Sequence, residues 1–126
     1  MKTAHDLVVA AKQVTREITV QAAAIDLPDA DLVLDVREAD EYNQGHIPGA
    51  LHMSRGMLEF KLAANPAYAS RDLKIVVYCK TSGRAALCAK SLQDMGYTQV
   101  RSIAGGMDAW VAEGMPVAKP STPSFE

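Results

Sequence analysis

An α/β fold built on one open, mostly parallel sheet is the class this sequence predicts, and three observations predict it. Apolar runs of strand length recur along the chain, at Leu32-Val33-Leu34, over residues 73–78 and over residues 99–103. Segments with helical spacing stand between them, and strands alternating with helices imply a parallel sheet covered on both faces. The whole chain has 126 residues, 48% of them hydrophobic, which fits a single domain with one core.

The elements follow in order. Residues 4–13 read as a helix with Leu7, Val8 and Ala11 on one side, suited to packing on the domain or on another subunit. Ile18-Thr19-Val20 reads as a short strand or as a lead into Gln21-Ala22-Ala23-Ala24. Leu27-Pro28-Asp29-Ala30 is a turn, and residues 31–36 hold a buried strand. Residues 38–42 make a short helical turn ending near Gly45. His46-Ile47-Pro48-Gly49-Ala50 turns into a short strand around Leu51 and His52, and residues 57–62 form a helix. The run 73–78 is the central strand. In the helix after it Ala85, Cys88, Ala89, Leu92 and Met95 share one face, with Gly96 as its C-cap. Residues 99–103 are the next strand, Gly105-Gly106 a turn, and residues 107–113 a last helix closed by Gly114 and Pro116. The organisation expected is an N-terminal helical extension over residues 1–17, one domain over residues 18–117, and a flexible tail over residues 118–126. The tail carries two prolines and no apolar period.

Composition narrows the function. A net charge of −2 gives no overall pull toward nucleic acid or a membrane surface. No apolar run approaches the ~20 residues that span a bilayer, and the N-terminus lacks a signal-peptide pattern. A cytoplasmic location is expected. Two cysteines make no disulfide framework. His5 and His52 have no partners at metal spacing, so no metal site is expected.

Cys79 carries the chemistry. It follows the central strand and opens Cys79-Lys80-Thr81-Ser82-Gly83-Arg84, directly before a helix. A cysteine there lies among unpaired backbone N–H groups at the positive end of a helix. Lys80 and Arg84 add positive charge, and such surroundings favour the nucleophilic thiolate. The same N–H groups can cradle an anion.

Several separated segments resemble the motifs of the rhodanese family. Leu34-Asp35-Val36-Arg37-Glu38, Glu41-Tyr42 and Gly45-His46-Ile47-Pro48-Gly49-Ala50 are similar to its amino-terminal motifs. The segment from Val77 to Arg84 resembles its active-site loop. Met95-Gly96-Tyr97 and Gly105-Gly106-Met107-Asp108-Ala109-Trp110 resemble its carboxyl-terminal motifs. The resemblance implies an open sheet of about five strands and sulfurtransferase chemistry through a cysteine persulfide. Related phosphatases and arsenate reductases use one more residue between cysteine and arginine. The six-residue loop from Cys79 to Arg84 is tighter and suits a single sulfur atom, and no general-acid aspartate is evident.

Each candidate has a stated role. Cys79 is the nucleophile. Lys80, Thr81, Ser82, Gly83 and Arg84 form the anion cradle, the middle three mainly through their N–H groups. Cations at a helix N-terminus oppose its dipole, which makes an anionic substrate the better reason for Lys80 and Arg84. Arg55, after the short strand, is a further anion contact that the resemblance implies. Asp35, Arg37 and His46 are structural supports: Asp35 accepts bonds from neighbouring loops, Arg37 pairs with Glu41 four residues on, and His46 holds a turn. Cys88 packs in the core, and Trp110 anchors it. The expected activity is transfer of a sulfane sulfur from a donor such as thiosulfate to cyanide, a thiol or a protein acceptor. Two rival readings are a sulfur-carrier or regulatory binding module with protein partners, and an arsenate reductase or phosphatase, which the loop length disfavours.

Overall fold

In the computed structural model, residues 1–120 are described. Helix α1 (Ala4–Val14) starts at a capping box in which Thr3 and Asp6 exchange side-chain bonds to each other's backbone N–H. Strand β1 (Arg16–Ile18) follows, then α2 (Val20–Asp26). The strand expected at 18–20 therefore sits two residues earlier. Thr19 is the reason: its hydroxyl accepts the N–H of Ala22 and caps α2, ending the extended stretch. The sheet thus reaches into the segment expected to be a purely helical extension. The remaining elements are β2 (Leu32–Asp35), α3 (Ala39–Gln44), β3 (Leu51–His52), α4 (Leu58–Ala64), β4 (Lys74–Tyr78), α5 (Gly83–Asp94), β5 (Gln99–Ile103) and α6 (Gly106–Ala112). Each lies within a few residues of its predicted place.

The five strands among the described residues form one sheet in the order β1-β5-β4-β2-β3, every pair parallel. Alternate residues of β2 and β4 feed two cores. Leu32, Leu34, Ile75 and Val77 pack under α4 and α5 with Leu58, Leu62 and Leu92. Val33, Val76 and Tyr78 face α2 and α6 with Ala23, Met107 and Trp110. Each such buried aliphatic side chain contributes about 1.5–3 kcal/mol. Trp110 is 3% exposed and its indole N–H donates to the carbonyl of Pro116, which is the anchoring expected of it.

This strand order places a crevice. The chain leaves β2 toward β3 on one side and leaves β4 toward β5 on the other. The carboxyl ends of β2 and β4, paired at Asp35 and Tyr78, therefore diverge into a topological switch point, where open α/β sheets bind ligands. Cys79 is the first residue beyond that end of β4.

Ala118, the first residue of the expected tail, exchanges both backbone bonds with His46 (2.9 and 2.8 Å). Residues 121–126 of that tail lie outside the described residues.

Candidate active site

Cys79 is 1% exposed, and its Sγ accepts the N–H of Ala85 at 3.3 Å. The loop that follows is oriented by its carbonyls. Cys79 and Lys80 accept the N–H groups of Met107 and Asp108 at the start of α6 (2.8 and 3.0 Å), and Ser82 accepts that of Ala86 (2.9 Å). Two of its carbonyls are thus held by α6, and the third opens α5. Among the described residues the N–H groups of Lys80, Thr81, Ser82, Gly83 and Arg84 have no protein acceptor. Lys80 and Thr81 are exposed and the other three half-buried, so these donors are open to solvent or to an anion.

Gly106 makes the arrangement possible. Its φ is +56°, and a Cβ there would overlap the carbonyl oxygens of Cys79, Thr81 and Lys80. Only glycine lets α6 approach the loop backbone this closely. The Gly105-Gly106 pair was legible in the sequence as a turn, without this role.

Both loop cations have carboxylate partners that the sequence did not suggest. Lys80 Nζ lies 2.7 Å from Asp108 on α6. The Arg84 guanidinium holds Glu41 through two bonds of 2.7 and 3.1 Å, across the crevice from α5 to α3. That bond holds the Glu41 carboxyl well below the usual range, at about 2. The pairing expected between Arg37 and Glu41 is therefore corrected. Arg37 precedes the Glu38 N-cap of α3 in non-helical backbone, so four-residue helical spacing does not apply to it. It folds back instead on Asp35, with Nη2 at 2.8 Å and Nε at 3.0 Å, and donates to the carbonyl of Gly45. Asp35 is fully buried beneath the crevice, beside Tyr78, whose phenol burial and then that carboxylate push upward in pKa. The Tyr78 hydroxyl accepts the N–H of Ile47.

His46 stacks on Tyr42 (3.9 Å, 6°), and its Nδ1 lies 3.2 Å from the Tyr42 carbonyl. Arg55 is exposed, its backbone N–H bonded to Val36 at the end of β2. It joins Arg84, Cys88, Glu38 and Glu59 around a polar cavity of about 400 Å³. Cys88 is 2% exposed in the core under α5, and burial pushes its thiol up to about 12. Both cysteines are free. A roomier cavity of about 450 Å³ lies beside Leu27, Ile47 and Trp110, lined by apolar side chains without a titratable group. Among the described residues no cluster of three His, Cys, Asp or Glu is placed to hold a metal ion, and no helix is long and apolar enough to cross a membrane.

One side chain from outside the expected site reaches it. Lys12 Nζ on α1 lies 2.7 Å from Ser82 Oγ. No motif signal marked Lys12, because the two residues are 70 apart in sequence.

A switch-point cysteine in a loop of free N–H groups, on a five-stranded parallel sheet, defines an α/β domain with a buried free thiol at the carboxyl edge of its sheet. The chain belongs to the rhodanese family: the model of the rhodanese-like domain matches residues 19–113. It is similar to a sulfurtransferase of Allochromatium vinosum, 30% identical over 71% of this chain and 79% of that one. Among solved structures it resembles the polysulfide-sulfur transferase homodimer of Wolinella succinogenes, at 37% identity and a TM-score of 0.75 over 90% of this chain and 85% of that one. It also resembles a Rhodopseudomonas palustris protein of unknown function described as a possible tyrosine phosphatase. That match has 33% identity and a TM-score of 0.82 over 94% and 96% of the two chains. Sulfur transfer is the chemistry its sulfurtransferase relatives have in common.

Proposed function

We propose that the protein is a sulfurtransferase of the thiosulfate type, working through a persulfide on Cys79. The observation that carries this reading is the loop: a buried sulfur, the carbonyls of Cys79 and Lys80 held by α6, and five successive N–H groups left without protein acceptors. The Cys79 thiolate attacks the outer sulfur of thiosulfate. A new S–S bond forms, the bond to the sulfonate sulfur breaks with its electron pair, and sulfite leaves. Cys79 then carries a persulfide anion that the loop N–H groups stabilise. Cyanide or a thiolate attacks the terminal sulfur, and the Cys79 thiolate is regenerated as the leaving group. Charge balances in both steps without a redox partner, a metal or an organic cofactor. Arg55 and Arg84 line the polar cavity from which an anionic donor would approach.

Six residues from Cys79 to Arg84 argue for this chemistry over phosphate or arsenate, the rival that the Rhodopseudomonas neighbour raises. A ring sized for one sulfur atom leaves no room for a tetrahedral oxyanion around the cysteine. Cys79 itself disfavours an inert binding module, though the same persulfide serves equally to hand sulfur to a protein acceptor.

Intact mass tests the proposal. After incubation with thiosulfate the wild type gains one sulfur atom, and the gain is lost on adding cyanide. A chain that stays unmodified by thiosulfate and by polysulfide, or that hydrolyses aryl phosphates readily, is not a sulfurtransferase.

A further inference from the structure

The geometry points to Lys12, on the N-terminal helix, as a positioning and specificity residue of the Cys79 loop that selects for anionic reactants. Three observations lead there. First, α1 ends ahead of residues 19–113, the span of the family's domain, yet it packs on α5 beside the loop. A Cβ on Gly83 would meet the Val8 side chain at 3.5 Å, so the helix sits in van der Waals range of the loop backbone. Second, Lys12 Nζ donates to Ser82 Oγ at 2.7 Å. That bond ties the middle of the loop to a rigid helix. It also occupies a lone pair of the Ser82 hydroxyl, leaving its hydrogen to donate elsewhere.

Third, the other cations of the loop are neutralised. Lys80 is paired with Asp108 and Arg84 with Glu41, each at 2.7 Å. The closest partner of Lys12 is a neutral hydroxyl, and its carboxylate neighbour Glu17 is farther off at 3.5 Å. Of the three ion pairs at the loop, that of Lys12 is the longest, and the nearest contact of its ammonium is the loop's own hydroxyl. Its side chain is 36% exposed, so solvent and salt reach it.

The inference rests on the sulfur-transfer reading only for the identity of the anion, and its test is chosen to be independent of that reading. The full chain is alkylated with iodoacetate, an anion, and with iodoacetamide, its neutral analogue. The rate at Cys79 is read by peptide-resolved mass spectrometry. Lys12→Met is expected to lower the iodoacetate-to-iodoacetamide ratio roughly fivefold at low salt, the effect of removing one charge at close range in a watery setting. Lys12→Arg is expected to restore the ratio. Glu17→Gln is expected to raise it, the opposite direction from any loss of structure. In thiosulfate turnover, Lys12→Met is expected to raise KM while kcat stays within about twofold. A folded Lys12→Met protein with the wild-type alkylation ratio overturns the proposal, as does a Glu17→Gln protein whose ratio falls. If the wild type turns over no thiosulfate but the ratio still drops in Lys12→Met, the functional reading fails and the role of Lys12 stands.

Discussion

Cys79 and Cys88 occupy the same apolar core cluster, and what separates them is the backbone around each sulfur. Cys79 Sγ accepts an N–H at the mouth of a loop rich in free donors. Cys88 lies in the second turn of α5, where burial holds its thiol at about 12 and so protonated at neutral pH. Cys79→Ser is expected to abolish thiosulfate:cyanide sulfur transfer with an unchanged far-UV spectrum, since serine offers no accessible anion near neutral pH. Cys88→Ala is expected to keep most of the activity and to lose about 1–2 kcal/mol in denaturant unfolding, the cost of a small cavity. Activity lost in both variants with both folded would show that the two sulfurs act together, contrary to the assignment. Glu41 works differently again, as the counter-ion that holds Arg84 across the crevice. Glu41→Gln frees that guanidinium and is expected to lower the KM for thiosulfate, a change that steady-state kinetics at fixed ionic strength would detect.

Among the elements, the loop and α6 form one unit. The N-terminal N–H groups of α6 bind the loop carbonyls, and Gly106 permits the approach. Gly106→Ala is expected to destabilise the fold by about 2–4 kcal/mol, because a left-handed φ and a backbone overlap act together. It should also reduce sulfur transfer in whatever fraction remains folded. An exposed glycine with a similar φ but open space around it, Gly114, is the comparison: alanine there costs only about 1 kcal/mol for its backbone strain. Insertion of one residue between Ser82 and Gly83 tests the ring itself. Widening the ring moves donors off the terminal sulfur, and a misplacement of about 1 Å can cost on the order of 100-fold in rate. Persulfide formation measured by mass should fall accordingly, with phosphate-ester hydrolysis assayed alongside. Undiminished sulfur transfer in the folded insertion variant would remove the loop-size argument.

At the scale of the molecule, ion pairs bridge elements that the sheet brings together from distant parts of the chain. Arg101 ties β5 to α2 through Asp26, Arg84 ties α5 to α3 through Glu41, and the buried Asp35–Arg37 pair fastens the end of β2 to the turn at Gly45. Their acid response has a definite sign. Glu41 is held at about 2, below its ordinary 4.5, so the unfolded chain binds the proton more readily. The stability this contributes is fully present above about pH 4.5 and is lost as pH falls toward 2. Since both partners are about one-third exposed or somewhat less, the contribution is about 1 kcal/mol or below. Glu41→Gln is therefore expected to flatten the fall in unfolding free energy across that window, as followed by urea titrations at stepped pH. A slope equal to the wild type's would mean that the pair adds nothing to stability.

The sequence by itself determined the alternation of strands and helices, the apolar faces of the helices, and the position of Cys79 between a buried strand and a helix start. All of these are local, carried by spacing within one element or across one turn, and periodicity reports them directly. Even the misplacement of β1 was a local matter, decided by the hydroxyl of Thr19. Only the tertiary structure decided which groups share the crevice. Strand order set the switch point between β2 and β4, and from it came pairs 43 and 28 residues apart, Arg84 with Glu41 and Lys80 with Asp108, and the reach of Lys12 to Ser82. No pattern along the chain encodes such partners. A charge pairs with whatever carboxylate or hydroxyl the packed sheet brings within about 3 Å, and that is settled when the layers close.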